Sequence, residues 1–259
     1  TSLGQHAAGP VELRNVRIFA EPSTAAGPPG RSQTRWVELS HVISAGMVTY
    51  PGLPAPLICD FLNREESRAR YAEGTEFHIG KIEMVANTGT YLDAPFHRYA
   101  DGKDLSQLSL SSLANMEGIV IRATELVNQA IDASVFKQVD VREKAVLVQT
   151  GWDIYWKTEQ YFVGHPFLTR DAAQLLADAG ARLVGIDSLN IDDIRDTARP
   201  VHSILLRAGI PIVEHLCNLS ALPDAGFRFF AVPVKVKGMG TFPVRAFGVI
   251  NPGLHDERR

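Results

Sequence analysis

The order of apolar and polar positions along the chain predicts more strands than helices. Apolar residues alternate with a period near two over residues 76–86, which is typical of a strand with one buried face. Residues 145–150 have the sequence AVLVQT, a short apolar run of the kind that buried strands carry. The same two patterns predict further strands over residues 11–19, 36–39, 117–123, 183–186, 210–213, 229–236 and 244–250.

Two segments carry the signals of helices. Residues 169–179 begin at Thr169, a residue type that caps helix N termini, and Gly180 follows their end. Residues 202–208 form a shorter helical pattern that ends before a glycine. Strand–helix–strand units therefore lie mainly between residues 145 and 215. The sequence predicts an α/β fold, a single domain with a mixed β-sheet core flanked by helices.

The start of the chain has a different composition from the rest. Residues 21–31 are rich in proline, glycine and alanine, which favours an exposed segment over a packed element. No interdomain linker is evident after residue 35. We therefore predict an N-terminal arm over residues 1–34 and one folded domain over residues 35–259.

Composition and charge exclude several classes of protein. The formal net charge is −3, without the basic excess of a nucleic-acid-binding protein. No apolar run approaches the length of about 18 residues that a membrane span needs, and the first residues lack a signal-peptide pattern. Cys59 and Cys217 lie too far apart to suggest a disulfide framework and are expected to be buried thiols. These features predict a cytoplasmic protein that binds neither nucleic acid nor membranes.

Residues 87–97, NTGTYLDAPFH, hold the best candidates for chemistry. Asp93 and His97 are four positions apart, and Pro95 between them disfavours an ordinary helix, so an irregular loop is expected. A carboxylate and an imidazole held close together can bind a metal ion or act as an acid/base pair. The alternative is that Asp93 caps a turn and His97 is a surface residue.

A second candidate pair is His202 and Glu214, twelve positions apart. A predicted helix and a turn separate them, so they meet if the helix packs against the strand that ends near Glu214. A carboxylate at the end of a buried strand needs a partner, because an unpaired buried charge is costly. A metal ion or a cationic side chain would satisfy it, and a structural ion pair is the alternative.

The segment NTGTYLDAPFH resembles the HxGTHxDxPxH signature of the cyclase family that includes bacterial kynurenine formamidase and isatin hydrolase. The likeness continues in separate blocks in the same order, and only about the first thirty residues fall outside it. The blocks are VELSHVISAGMVTYPG (37–52), QTGWD (149–153), LVGIDSLNID (183–192), HSILLRAGIPIVEHLCNLSAL (202–222) and FAVPVKVKGMGTFPVRAFGVI (230–250). The resemblance implies the kynurenine formamidase-like swivelling β/β/α fold.

The resemblance also implies a divalent metal site, of zinc or manganese, and this sequence departs from it in part. Asp93, His202 and Glu214 match family ligands, and they remain the predicted metal set. The two signature histidines are Asn87 and Tyr91 here. An amide oxygen is a weak ligand, and a tyrosine must lose its proton to bind well, so one ion or none is expected.

The implied activity is hydrolysis of the C–N bond of a small, often aromatic amide or cyclic amide. His97, Asp93 and Tyr91 are the predicted catalytic residues, and Asn87, Phe96 and Trp152 are the predicted substrate contacts. Water would be activated by one metal ion or by His97. The alternatives are a metal-independent lactonase or cyclase/dehydratase that uses Tyr91 and His97, and a non-catalytic small-molecule binder. The family also tends to form homo-oligomers, which predicts one here.

Overall fold

The computed structural model describes residues 33–125 and 128–251, which belong to the compact unit Ser32–Arg259. The arm predicted over residues 1–34 and the strand over residues 11–19 lie almost entirely outside the described residues. No helix within the described residues is long and apolar enough to cross a membrane. The helices are α1 (Arg64–Arg68), α2 (Arg170–Asp178) and α3 (Pro200–Arg207). The strands are β1 (Arg35–Glu38), β2 (Leu57–Leu62), β3 (Ile79–Glu83), β4 (Tyr91–Asp93), β5 (Met116–Arg122), β6 (Ala130–Ile131), β7 (Ala145–Gln149), β8 (Phe167–Leu168), β9 (Leu183–Ile186), β10 (Ile212–Glu214), β11 (Phe227–Phe230), β12 (Thr241–Pro243) and β13 (Phe247–Ile250).

Nine of these strands form one mixed sheet in the order β1-β13-β11-β5-β7-β9-β10-β4-β12. Strands β5, β7, β9 and β10 run parallel, and their neighbours on both sides pair antiparallel. The parallel strands are buried apolar runs, as expected where both faces of a sheet are covered. The predicted α/β class with a mixed sheet is confirmed.

Helices α2 and α3 pack on one face of the sheet and bury a cluster that includes Val146, Ile186 and Leu205. Helix α2 begins where the sequence predicts, because Thr169 accepts a hydrogen bond from the backbone N–H of Ala172. Helix α3 starts at Pro200, earlier than predicted, since proline suits the first position of a helix. These helices connect the parallel strands and bring α3 over β10.

A second apolar cluster covers the opposite face and includes Leu39, Leu92 and Val213. The chain after β1 reaches across this face, where Ser40 forms a β-bridge with Leu216 just beyond β10. The backbone N–H of Cys217 also donates to the carbonyl of Leu39. The sheet therefore curls, and residues from its two halves close one core.

Strands β2 and β3 form a separate two-stranded ribbon. The strand predicted over residues 76–86 is confirmed as β3, and every residue of β3 is exposed. Alternation cannot show whether anything covers the apolar side. Strand β2 was not predicted, and Cys59 within it is exposed instead of buried, whereas Cys217 is buried as expected.

Candidate active site

The segment 87–97 is more regular than the sequence predicts. Its middle forms the buried strand β4, which lies between β10 and β12 in the large sheet. The predicted irregular loop is therefore wrong for these three residues, because pairing on both sides satisfies their backbone groups. Pro95 begins a short 3₁₀ helix that ends at His97, so the expected interruption of ordinary helix is found there.

Strand register places four polar side chains on one face of the sheet. Tyr91 is directly opposite Glu214 in the β4–β10 pair, and Asp93 is opposite Thr241 in the β4–β12 pair. Opposed residues of antiparallel strands point to the same side. Ile212, opposite Asp93, packs into the cluster under the helices. The four side chains therefore face α3.

His202 reaches this group from α3. Its Nδ1 lies 2.6 Å from Oδ2 of Asp192, which also accepts the backbone N–H of His202. The remaining ring nitrogen, Nε2, lies 3.7 Å from Oδ2 of Asp93 and 3.7 Å from Oε1 of Glu214. Burial alone would lower the pKa of His202, but Glu214, Asp192 and Asp93 outweigh it and raise the pKa to about 10. In the absence of a metal ion, protonated His202 is the cation that faces Asp93 and Glu214.

The two carboxylates differ in how fully their oxygen atoms are bonded. Burial raises the pKa of Glu214. Its Oε1 accepts the backbone N–H of Ile191 at 2.7 Å, and its Oε2 accepts the hydroxyl of Tyr91 at 2.6 Å. Asp93 is fully buried, and its Oδ2 has no hydrogen-bond partner among the described residues. Burial would raise the pKa of Asp93, but His97, His202 and Thr241 hold it below its ordinary value.

The hydroxyl of Thr241 connects Asp93 to His97. Thr241 Oγ1 is hydrogen-bonded to Asp93 Oδ1 and lies 2.8 Å from His97 Nδ1. An ionised Asp93 only accepts, so the single hydroxyl proton is donated to it and His97 must donate from Nδ1. That tautomer leaves a lone pair on Nε2 of His97, the arrangement that a general base requires.

Gly240 allows this close approach. A Cβ atom built on Gly240 would lie 2.4 Å from the backbone nitrogen of His97, a distance that any other residue would have to relieve by moving the backbone. The carbonyl of Gly240 also accepts the N–H of Ala94 at 2.7 Å. The glycine before β12 therefore sets how near Thr241 and His97 come to each other.

Tyr91 and Asn87 occupy the places where the signature has histidines. Burial, followed by the charges of Glu214 and Asp93, raises the pKa of Tyr91 far above its ordinary value, and the nearby Asn87 amide opposes this only partly. Tyr91 is therefore protonated and donates its hydroxyl proton to Glu214. A protonated phenol and an amide make a poor metal site.

One cavity of about 320 Å³ contains most of the predicted site residues. Asn87, Tyr91, His97, His202 and Glu214 line it. Sequence reasoning did not single out the other lining residues, although two of them, Tyr50 and Asn190, lie in blocks that carry the family resemblance. These lining residues are Tyr50, Leu53, Arg98, Asn190 and Arg199. Thr241 was missed as well, although it lies in a block that carries the family resemblance.

Two predicted substrate contacts are not brought to this cavity. Trp152 lines a different surface pocket, together with Thr150 and Tyr155, and donates from Nε1 to the carbonyl of Tyr161. Phe96 lies in the 3₁₀ helix before His97 but is not among the residues that line the cavity. Their roles in substrate binding stay predictions that the geometry does not support.

Two further histidines, which by residue type could replace the missing signature ligands, also lie elsewhere. His78 is on the ribbon and bonds to Asp60 at 2.8 Å. His215 is fully buried on a left-handed backbone, and its Nδ1 bonds to the hydroxyl of Tyr161. Neither side chain is among the residues that line the cavity.

A divalent metal ion fits one part of this donor set. Asp93, His97 and His202 each offer a donor atom within 4.8 Å of the others. The unpartnered oxygen of Asp93 faces His202 Nε2, whose other nitrogen is held by a carboxylate, as in many metal sites. Glu214, from the predicted set, is a fourth candidate ligand through its approach to His202. Carboxylates and imidazoles are ligands for both zinc and manganese.

Comparison with known proteins finds a matching family and similar enzymes. Residues 37–193 match the model of the Cyclase family, described as "Putative cyclase". The kynurenine formamidase of Bacillus cereus is 27% identical over 228 residues, which cover 85% of this chain and 98% of that protein.

Two solved structures extend the comparison. The structure of a "potential metal-dependent hydrolase with cyclase activity" is 26% identical, with a TM-score of 0.69 and coverage of 84% of this chain and 98% of that one. Isatin hydrolase A from Labrenzia aggregata has a TM-score of 0.72 over 84% of this chain and 94% of its own, and at 20% identity it supports the fold alone.

Proposed function

This chain belongs to the Cyclase family, and on that premise we propose that it is a hydrolase of C–N bonds. The leading substrate class is an aryl formamide, followed by a cyclic amide. The observation that carries the proposal is the hydrogen-bonded series Asp93–Thr241–His97, which leaves a basic nitrogen on a residue that lines the cavity. The formamidase and metal-dependent hydrolase among its relatives support the same chemistry.

The side chains divide the reaction between them. Nε2 of His97 takes a proton from water, and the water oxygen bonds to the amide carbonyl carbon. When the C–N bond breaks, the same nitrogen returns the proton to the leaving amine, so His97 ends the cycle unchanged. Asp93 and Thr241 hold the ring in the tautomer that both steps need.

The hydrogen bond from Tyr91 to Glu214 supports a positioning role for Tyr91. Its one proton is donated to Glu214, so Tyr91 orients that carboxylate while this bond persists. A divalent ion held by Asp93, His202 and Glu214 would leave His97 free as the base and would supply Lewis-acid polarisation of the carbonyl. Without an ion, the positive charge of His202 is the electrostatic group closest to the two carboxylates.

The metal content of the purified protein distinguishes the mechanism with a divalent ion from the mechanism without one. The protein should be purified without chelator and its zinc and manganese measured by elemental analysis. About one equivalent of either metal, with activity lost on chelation and regained on return of that ion, is the expected result. Less than about a tenth of an equivalent in a fully active preparation would leave the metal-free version.

Turnover tests the function itself. Wild type should hydrolyse an aryl formamide, and His97→Ala should lower kcat by about 10²–10⁴-fold, because the proton transfers lose their base. A variant as fast as wild type would remove His97 from the chemistry. Hydrolysis of a lactone but of no amide would favour the lactonase alternative, and ligand binding with no turnover would favour a non-catalytic binder.

We also propose that the chain forms a homo-oligomer through the β2–β3 ribbon. An isolated two-stranded ribbon is marginally stable, and this one exposes Phe61 at 70% and Ile82 at 50%. Phe61→Glu should lower the assembly mass seen by light scattering, and Val163→Glu, at another exposed apolar residue, should not. An unchanged mass in Phe61→Glu would contradict the assignment. The cytoplasmic location stays a prediction from composition.

A further inference from the structure

The cavity contains a guanidinium group that the proposed chemistry does not use. Arg199 lines the cavity three positions before His202, at the residue preceding α3. Its Nη1 donates to Oδ1 of Asn190 at 3.4 Å and to the carbonyl of Asp193 at 3.3 Å, and its Nη2 donates to the hydroxyl of Tyr50 at 3.2 Å. All three acceptors are neutral, so they orient the group without balancing its charge.

Nearby carboxylates are committed to other partners. The carboxylate of Asp193 pairs with Arg195 at 2.8 Å, and Asp196 accepts the backbone N–H of Ala198. Asp192 is bonded to His202 and to the first N–H groups of α3. Within the described residues, no carboxylate lies within 4.0 Å of the Arg199 guanidinium, although three acidic residues stand within seven positions of it.

The backbone of Arg199 adds an independent observation. Its φ is +46°, in the left-handed region that costs energy for a residue with a side chain. Glycine or asparagine would adopt this conformation more readily. The strain delivers the guanidinium of Arg199 to the cavity, and strain of this kind is commonly retained at ligand sites.

Arg98 brings a second positive charge to the same cavity. It follows His97 directly, and its Nε donates to the hydroxyl of Ser203 at 3.3 Å. In the part of the chain that the structure describes, it too has no carboxylate within 4.0 Å. Two arginines without carboxylate partners in one small cavity would repel each other unless an anion lay between or beside them.

We propose that Arg199, assisted by Arg98, forms a carboxylate-binding subsite, so that the amide substrate carries a carboxylate. This inference rests on the proposed function and names its substrate class. The planar fork of an arginine matches a carboxylate with two parallel hydrogen bonds. Asn190 links the two ends of the cavity, because its Nδ2 lies 3.5 Å from Glu214 and its Oδ1 accepts from Arg199. The anionic group and the scissile amide therefore belong to one small molecule.

The test compares two substrates that differ only in charge, 2-formamidobenzoate and its methyl ester. The measured quantity is the ratio of kcat/KM for the acid to that for the ester. Arg199→Met should lower this ratio by about tenfold or more, mainly through KM for the acid. Arg199→Lys keeps the positive charge but loses the two parallel donors of the guanidinium. Its ratio should therefore lie between that of wild type and that of Arg199→Met. Arg182→Met is the matched control, since Arg182 pairs with Glu143 and does not line the cavity, and its ratio should equal that of wild type.

Two results would overturn the subsite. One is a ratio in Arg199→Met within about twofold of wild type. The other is an equal loss for acid and ester, which would make Arg199 a structural residue. If Arg199→Met does not fold, as judged by circular dichroism, Arg98→Met is measured in the same way, and a ratio unchanged in that variant rejects the proposal.

A binding measurement keeps this inference separate from the proposed function. If wild type hydrolyses neither substrate, the proposed function fails, and calorimetry with benzoate and benzamide still tests the subsite. Wild type should bind benzoate about tenfold tighter than benzamide, and higher ionic strength should reduce that preference. Equal binding of the two probes by wild type would reject the subsite whatever the enzyme's activity.

Discussion

Two neighbouring clusters in this protein shift the pKa of histidine in opposite directions. In the candidate site, His202 is surrounded by Asp93, Asp192 and Glu214, and its pKa is raised to about 10. In the neighbouring cluster of aromatic rings, burial lowers the pKa of His41 to about 4 and that of His215 to about 3. One cluster holds a charged histidine in the absence of metal, and the other holds two neutral ones.

Packing in the second cluster explains the difference. His41 stacks on Trp156 at 4.1 Å, and Trp156 contacts both Tyr161 and His215. Three ring nitrogens there have no partner among the described residues: those of His41 (Nε2), Trp156 (Nε1) and His215 (Nε2). Burial removes water from both clusters, but only the site supplies carboxylates. Burial alone therefore does not mark a histidine as functional, and the groups around it decide its charge.

Replacement of Asp93 should break the comparison most strongly. Asp93→Asn removes the charge that faces His202 and leaves only a weaker, neutral acceptor for the hydroxyl of Thr241, so kcat/KM should fall by about 10²–10⁴-fold. Asp187→Asn is the matched control, because Asp187 is equally buried but bonds to Thr150 and Gly151. Similar activity losses in the two variants would show that any buried charge matters equally, against the comparison. Amide hydrolysis is followed with each variant at equal folded concentration.

Two tyrosines test the clusters directly. Tyr91→Phe removes the donor to Glu214, so kcat should fall by about ten- to a hundredfold and stability by about 1–3 kcal/mol. Tyr161→Phe removes the donor or acceptor to His215 and should lose comparable stability while kcat stays within about threefold of wild type. Urea unfolding and steady-state kinetics supply both quantities. A larger loss of kcat in Tyr161→Phe than in Tyr91→Phe would mean that the active centre lies in the aromatic cluster instead.

Variants of Thr241 test whether its hydroxyl orients His97 as the general base. Thr241→Val keeps the shape and loses the hydroxyl between Asp93 and His97, so kcat should fall by about tenfold with little change in KM. Thr241→Ser restores the hydroxyl and should recover most of the rate. Equal losses in the two variants would mean that the methyl group, and not the hydrogen bond, is what matters.

The smallest effect concerns stability alone. His41 and His215 have folded pKa values below the ordinary 6.5, so the unfolded chain binds more protons below that pH. The stability that the two neutral histidines contribute is fully present above pH 6.5. It is lost as the pH falls towards the folded pKa values, about 4 for His41 and about 3 for His215. The free energy of unfolding should drop by about 2 kcal/mol or more between about pH 6.5 and 4.5. His41→Phe should flatten this slope, whereas His78→Gln, on the ribbon, should not; identical slopes in all three proteins would contradict the assignment.

Local signals explain which elements could be predicted. Helix α2 has a capping threonine, and the parallel strands are apolar runs, so each is marked within its own few residues. Strand β12 is three residues long and includes a proline, and within the described residues it pairs only with β4, so no local pattern predicts it. The apolar alternation of β3 predicted a strand correctly but could not reveal its exposure, because burial depends on what packs against it.

The sequence by itself determined the fold class and the neighbourhood of the site. Motif spacing and strand pattern, together with the family resemblance, selected Asp93, His97, His202 and Glu214, which the structure brings together. Only the tertiary structure decided what each atom does. Tyr91 meets Glu214 across a separation of 123 residues, and Thr241 meets Asp93 across 148. Protonation state and tautomer follow from such contacts, since charge and hydrogen bonding act through distance in space and not along the chain.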